Sequence, residues 1–166
     1  MTLGGADLSE YQQTLDAGFW LHVKNTQGPI ATVQSWGGGP SGWGTNDYQV
    51  HQQTLAIQAG MDVSCYVLLH WANAAWPGNV QVAAGLDALG PELSKHQLFV
   101  AIDIETHTGW ANSGVQYRIP RTLEAIDEVR RRGLYPIIYS SRGMWTTIMS
   151  GTPQDWGLIV NQCEYW

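Results

Sequence analysis

The segment LFVAIDIET, residues 98–106, decides the fold that this sequence predicts. Its first five residues form an uninterrupted apolar run, which is typical of a strand buried within a parallel sheet. Asp103 and Glu105 follow, and both side chains are expected on the same face because neighbouring side chains of a strand alternate. In β/α folds, catalytic groups lie at the C-terminal ends of such strands. The segment therefore predicts a parallel α/β fold with two carboxyl groups at its functional edge.

The two acids also suggest a type of chemistry. Two carboxyl groups this close cannot both ionise freely, so one is expected to hold a proton near neutral pH. Hydrolysis of a glycosidic bond uses such a pair, with one group donating a proton and the other remaining negative. We interpret Glu105 as the general acid that protonates the leaving oxygen. Asp103 is then the negative neighbour that holds this proton in place and stabilises positive charge on the sugar. The structural alternative is a strand end capped by two solvated acids.

The rest of the chain alternates between strand and helix signals, as in a parallel β/α architecture, and we expect one domain, residues 1–166. The stretch from Gly28 to Thr45 is rich in Gly, Ser and Trp and is predicted as a long loop. Six strands fall short of a closed eight-stranded barrel, so either two strands are unrecognised or the barrel is incomplete. Besides the acid-bearing strand, we predict strands at 5–9, 19–24, 63–71, 135–141 and 157–162, and helices at 45–60, 79–89 and 120–133.

The composition excludes several classes of protein. Hydrophobic residues make up 44% of the chain and charged residues 13%, so the chain is globular rather than disordered. A net charge of −6 and a single basic cluster, Arg130–Arg132, argue against nucleic-acid binding. No apolar run approaches the ~18 residues of a membrane span, and Met1–Gly5 lacks the features of a signal peptide. We expect a monomer without membrane or nucleic-acid partners.

A metal-dependent hydrolase is a second interpretation of the central segment. Asp103, Glu105 and His107 occupy alternate positions and could together ligate a metal ion. The remaining histidines show no ligand spacing, and Cys65 and Cys163 belong to no zinc-type pair. In the preferred interpretation we expect neither a metal nor another cofactor.

Six short fragments, in order along the chain, resemble the motifs of one enzyme family. The family is glycoside hydrolase family 25, the lysozymes of the Chalaropsis or muramidase type. The opening fragment GADLSEYQ is similar to the family's G-x-D-[VL]-S-x-x-Q, and AIDIE is similar to its D-x-E strand. The other four fragments are VKNTQG at 23–28, AGM at 59–61 with the tyrosine at 66, PIIYSS at 136–141 and IVNQ at 159–162.

This resemblance implies a flattened β/α barrel of the TIM type. It also implies hydrolysis of the β-1,4 bond between N-acetylmuramic acid and N-acetylglucosamine, with the glycan strands of bacterial peptidoglycan as the partner. Phage endolysins often carry this domain. Without a signal peptide, we expect the protein in the host cytoplasm before holin-dependent release, or outside the cell acting on the wall.

The candidate site combines the acids with residues near predicted strand ends. Asp7 would bring a third carboxyl group into the mouth of the barrel. Tyr66 and Tyr139 could hydrogen-bond to an N-acetyl group or to a carboxylate, with packing in the barrel wall as their alternative. The tryptophans on or beside predicted loops could stack on sugars, or could simply pack in the core. These are Trp36, Trp43, Trp71 and Trp76. The further substrate-binding candidates are Lys24, Gln27 and Gln162, and a structural ion pair is the alternative for Lys24.

The sequence departs from the family pattern in three places. Gln27 stands where the family usually has Glu, and His70 follows Tyr66 by four positions in an altered Y-H-F segment. The family usually continues beyond the position of Trp166 through a further strand that carries another acid. These departures favour a barrel that is incomplete at its C-terminus. They also keep a non-catalytic peptidoglycan-binding relative as an alternative to the enzyme.

Overall fold

The computed structural model describes residues 4–13, 15–39, 42–71, 75–106, 115–149, 157, 159 and 164–165. Seven strands and five helices alternate through these residues, with one 3₁₀ turn at Glu10–Gln12. The strands are β1 Gly5–Leu8, β2 Ile30–Gly39, β3 Gly42–Thr45, β4 Asp62–Leu68, β5 Gln97–Asp103, β6 Pro136–Tyr139 and β7 Glu164–Tyr165. The helices are α1 Ala17–Thr26, α2 Gln49–Gln58, α3 Gly78–Lys95, α4 Val115–Arg131 and α5 Arg142–Met149.

The strands form a single, mostly parallel sheet in the order β1-β2-β4-β5-β6-β7. Each neighbouring pair in that order is parallel, while β3 pairs antiparallel with β2 at the side. The predicted parallel α/β fold is therefore confirmed. In the part of the chain that the structure describes, β1 and β7 stand at the two ends of this order. Closure of the sheet into a barrel stays a prediction.

The two faces of the sheet differ in character. One face carries apolar side chains that pack against the helices, among them Val33, Val67, Val100, Ile102 and Ile138, all fully buried. The alternating positions on the opposite face are largely polar. They include Asp7, Thr32, Gln34, Ser64, Tyr66 and Asp103. Parallel strands covered by helices are normally apolar on both faces, so the polar face marks where the site lies.

The predicted strand at 19–24 is wrong, because these residues belong to α1. The Asp16 side chain accepts a hydrogen bond from the Phe19 amide at 2.8 Å and so caps the first turn of this helix. Trp20 and Val23, three residues apart, are buried, whereas Leu21 between them is half exposed. This spacing follows the period of a helix. The apolar segment is too short for its pattern to distinguish a helix from a strand.

The predicted long loop at 28–45 is also wrong, because it contains β2 and β3. Residues 30–33 pair with both β1 and β4 in the middle of the sheet, and the pairing with β4 continues to Trp36. The glycines that follow pair with β3 as an antiparallel hairpin, from Trp36 opposite Thr45 to Gly39 opposite Gly42. Glycine-rich sequence is depleted in strands, which explains the error. We refer to residues 36–39 and 42–45 together as the β2–β3 hairpin.

The remaining predictions agree in part with the structure. The predicted helices and the strands near 5, 63, 98 and 135 are present with shifted ends. The predicted strand at 157–162 is wrong at Gly157 and Ile159, which are helical, and the final strand is β7. Helix α5 was not predicted. No helix within the described ranges has the length and apolar character needed to cross a bilayer.

Candidate active site

The C-terminal edge of the parallel strands holds an open cleft with a cavity volume of about 110 Å³. Strand register brings its residues together from five strands. Asp7 pairs with Thr32, Tyr66 pairs with Ala101, and Asp103 pairs with Tyr139. The cleft is lined by Asp7, Thr32, Tyr66, Ala101, Asp103, Glu105 and Tyr139. Three carboxyl groups and two phenols, all singled out from the sequence, thus share one cavity.

Asp103 is the most perturbed carboxyl group of this cleft. Its side chain is 6% exposed, and its Oδ1 atom has no hydrogen-bond partner among the described residues. Burial, then the negative charges of Glu105 and Asp7, raise the pKa of Asp103 from 3.8 to about 8. Asp103 therefore keeps its proton at neutral pH. The sequence interpretation expected Asp103 to be the negative member of the pair. Burial disfavours this charged form, and the catalytic role of Asp103 stays a prediction.

The two tyrosines of the cleft stay as neutral phenols. Burial, followed by the charges of Asp103, Asp7 and Glu105, raises the pKa of Tyr66 far above its usual range, although its side chain hydrogen-bonds with Ser9. Burial and the same acids also raise the pKa of Tyr139, which is partly exposed at the mouth of the cleft. Both phenols can therefore donate as well as accept hydrogen bonds at the pH where the acids work.

Gln34 supports the mouth of the cleft and was missed by the sequence analysis. It is buried on the polar face of β2, where it accepts a hydrogen bond from the Glu10 amide at 3.0 Å. Its Nε2 atom donates to the Gly38 carbonyl oxygen at 3.2 Å. Gln34 thus ties the 3₁₀ turn after β1 to the β2–β3 hairpin. A signal was present, since a glutamine interrupts the apolar segment IATV, but the segment had been assigned to a loop. Thr32 and Ala101, which also line the cleft, were missed as well.

Lys24 and Gln27 do not lie at this cleft, which corrects their assignment as substrate-binding residues. They occupy the end of α1 and its C-cap, and α1 leads into the N-terminal end of β2. The Lys24 ammonium donates to the Ala59 carbonyl oxygen at 3.2 Å, at the end of α2 and before β4 begins. Both residues therefore lie at the opposite edge of the sheet. The error follows directly from assigning residues 19–24 to a strand.

Trp71 is also unavailable as a stacking surface. It is 1% exposed and belongs to the main apolar core, and the Arg121 guanidinium donates to its carbonyl oxygen. Trp36 is similarly buried, whereas Trp43 and Trp76 are partly exposed. Gln162 and His107 lie outside the described residues. Within those that are described, no group of three or more His, Cys, Asp or Glu side chains is arranged to hold a metal ion.

Two solved structures share this fold. The spore cortex lytic enzyme SleM of Clostridium perfringens matches with a TM-score of 0.69 at 14% sequence identity, over 88% of this chain and 46% of that one. The catalytic domain of endolysin ply40, from bacteriophage P40 of Listeria monocytogenes, matches with a TM-score of 0.62 at 15% identity, over 89% of this chain and 68% of that one. This chain thus spans just under half the length of SleM.

Sequence comparisons point the same way where they give a match. No curated protein sequence matched the chain significantly. A sequence model of glycosyl hydrolases family 25, in contrast, matches residues 6–161, a range that includes all three carboxyl groups of the cleft. Together with the shared fold, this match over nearly the whole chain means that the protein belongs to glycosyl hydrolases family 25.

Proposed function

We propose that this protein hydrolyses the β-1,4 glycosidic bond between N-acetylmuramic acid and N-acetylglucosamine in bacterial peptidoglycan. The observation that carries the proposal is the meeting of Asp7, Asp103 and Glu105 in one cleft of a family 25 chain. Glycosidic bonds break through an oxocarbenium-like transition state that needs both a proton donor and negative charge. The names of the two structural relatives, a cortex lytic enzyme and an endolysin, support a cell-wall substrate.

Glu105 is the group that we propose as the proton donor to the leaving oxygen. It follows β5 directly and is partly exposed, so it reaches the open part of the cleft, while Asp103 is buried beneath it. Asp7 stands on another strand, β1, and supplies a carboxylate for the positive charge that develops on the sugar. Asp103 and Glu105 are proposed to share one proton as a coupled pair, so the proton that Glu105 delivers to the leaving oxygen is the one that this pair holds before the reaction. Tyr66 and Tyr139 are proposed to hydrogen-bond with the substrate.

The biological setting follows from the same proposal. The partner is the glycan strand of peptidoglycan, bound by residues 1–166 acting as one catalytic domain and as a monomer. The protein would act on the cell wall, either from outside the cell or after holin-dependent release from the host cytoplasm. No further partner is needed for the proposed reaction.

The test is the Glu105→Gln variant, which keeps the size and polarity of the side chain but removes its transferable proton. We expect the rate at which it clears a peptidoglycan suspension to fall by about 10²-fold or more, the scale of a lost general acid. Glu92→Gln is the matched control, because Glu92 is exposed on α3 and pairs only with Lys95 at 3.3 Å among the described residues. A Glu105→Gln variant as active as the parent contradicts the assignment.

Analysis of the products identifies the bond. New reducing ends on N-acetylmuramic acid support the proposal, whereas new ends on N-acetylglucosamine indicate a glucosaminidase. A parent protein that sediments with cell walls but never lowers their turbidity indicates the non-catalytic binding relative instead.

A further inference from the structure

An aromatic cluster stands beside the cleft and has no part in the proposed chemistry. The ring centroid of Trp43, on β3, lies 4.4 Å from that of His70, and the His70 centroid lies 5.1 Å from that of Trp76. Trp76 in turn contacts Trp36 at 5.5 Å. All three contacts are edge-to-face, with interplanar angles of 85° to 87°. We call Trp43, His70 and Trp76, which are all partly exposed, the aromatic wall.

The aromatic wall is continuous with the cleft through two sets of contacts. On the β2 side, Gln34 is in register with the cleft residue Tyr66 and donates to the Gly38 carbonyl oxygen. The Trp43 ring covers Gly38 so closely that a Cβ atom added there would lie 3.4 Å from the indole. On the β4 side, the Leu69 amide donates to the Asp103 carbonyl oxygen at 3.3 Å, and His70 is the next residue.

The root of the hairpin also adjoins the polar face of the sheet. A Cβ atom at Gly37 would collide with the Gln34 amide and lie 3.1 Å from the Leu68 Cβ. Leu68 is in register with Asp103. The β2–β3 hairpin therefore extends from the same edge of the sheet that carries the acids.

Hydrogen bonds to one buried side chain fix the backbone of His70 and Trp76, two of the three wall residues, before any ligand arrives. Gln81 of α3 is fully buried, and its Oε1 accepts from the His70 amide at 2.7 Å and from the Trp36 indole at 3.1 Å. Its Nε2 donates to the carbonyl oxygens of Trp76 at 2.7 Å and His70 at 3.1 Å. One glutamine thus uses its donors and acceptor to hold three aromatic residues. A preformed aromatic surface loses little entropy when a ligand binds.

We propose that the aromatic wall is a second sugar-binding site, at which a pyranose ring of the glycan strand packs on Trp43 outside the catalytic cleft. This inference rests on the proposed function, because it takes the bound polymer to be the substrate. The cleft has a cavity volume of about 110 Å³, which is below the ~300–1,000 Å³ of pockets that enclose a drug-sized molecule. Only a short piece of a glycan strand fits there, and the rest must continue over the neighbouring surface. Partly exposed tryptophans offer the flat apolar face that the C–H side of a sugar ring contacts.

The test measures binding rather than turnover, with the Glu105→Gln chain as the background. Isothermal titration with a β-1,4-linked N-acetylglucosamine–N-acetylmuramic acid octasaccharide and with the corresponding disaccharide reports the effect of ligand length. We expect Trp43→Ala to weaken octasaccharide binding by about tenfold, the scale of a lost aromatic contact, and to weaken disaccharide binding less. Trp43→Phe, which keeps a ring, should retain most of the affinity.

Two controls keep the result interpretable. Tyr135→Ala removes an exposed aromatic ring that precedes β6, at the opposite edge of the sheet, and should leave octasaccharide binding unchanged. Trp43→Leu keeps an apolar side chain on the hairpin, so it replaces Trp43→Ala if the alanine variant melts far below the parent. The proposal is overturned if the leucine or alanine variant binds the octasaccharide as tightly as the Glu105→Gln chain does. It is also overturned if the variant loses the same affinity for the octasaccharide and for the disaccharide.

The outcomes also separate this inference from the proposed function. If the parent chain cleaves no glycan but binds the octasaccharide in a Trp43-dependent manner, the sugar-binding role of the aromatic wall is supported and the hydrolase activity is refuted. If the parent cleaves peptidoglycan but its octasaccharide binding does not depend on Trp43, the hydrolase activity is supported and the sugar-binding role of the aromatic wall is refuted.

Discussion

Replacing Asp103 by Asn is expected to make the folded protein more stable at neutral pH. The folded state holds the proton of Asp103 far more tightly than the unfolded chain does, because the pKa of Asp103 is raised from 3.8 to about 8. Below pH 3.8 Asp103 is protonated in both the folded and the unfolded state, so it adds no pH dependence to the free energy of unfolding. As pH rises from 3.8 to 8, Asp103 ionises in the unfolded chain but stays protonated in the folded state. This ionisation stabilises the unfolded chain, so the free energy of unfolding declines. Above the folded-state pKa the decline stops.

The size of the effect follows from this interval. Each pH unit within it costs about 1.4 kcal/mol, so Asp103 lowers the free energy of unfolding by up to about 4 kcal/mol at pH 7. An asparagine cannot ionise and has nearly the shape of the protonated acid. The Asn variant should therefore gain stability over the parent progressively between pH 4 and pH 8. Since domains are stable by about 5–15 kcal/mol, even half of this change is readily measured.

The assay is urea unfolding of parent and variant at a series of pH values from 4 to 9. Asp62→Asn is the control, because Asp62 is exposed at the start of β4, away from the acidic cleft. An Asp103→Asn difference that stays constant from pH 4 to pH 8 refutes the reasoning, because Asp103 would then ionise equally in the folded and unfolded states.

Three further outcomes follow from the packing. Gln34→Leu leaves two partners at the cleft mouth unsatisfied and should lower the free energy of unfolding by about 1–3 kcal/mol, measured in urea. Gly78→Ala places a Cβ atom against the Arg121 carbonyl oxygen, so α3 and α4 must separate. Calorimetry should record a lower Tm, equivalent to a loss of about 1–3 kcal/mol in the free energy of unfolding. An unchanged Tm would contradict the close approach of the two helices. Burial raises the pKa of the Cys65 thiol to about 12. In a Cys163→Ala background, Cys65 should therefore not react with a disulfide reagent at pH 8 until the protein unfolds.

The sequence predicted best where a single physical signal was strong. The apolar run before Asp103 could only be a buried strand, and the alternation of side chains then put Glu105 on the same face. It predicted poorly where two signals competed. Residues 19–24 are apolar at spacings that fit a short strand as well as one side of a helix, and the cap at Asp16 that decides between them was not used.

The position of the candidate site was predictable, whereas its electrostatics were not. Asp7, Tyr66 and Tyr139 line the same cleft because each lies at or near the C-terminal end of its strand, and their roles stay predictions. The raised pKa of Asp103 depends chiefly on burial, which only the three-dimensional packing determines. Trp71 shows the same limit, since nothing in its local sequence distinguishes a core tryptophan from one at the surface.

The two hydrogen bonds of Gln34 have a consequence for redesign of the protein. The segment after β1 and the β2–β3 hairpin meet at one buried amide, so they behave as a single unit. A hairpin transplanted from another protein must present a carbonyl oxygen where Gly38 does, or the Glu10 turn loses its anchor as well. Changing the proposed glycan preference through this hairpin therefore means exchanging both segments together, while the strands that carry the acids stay unchanged.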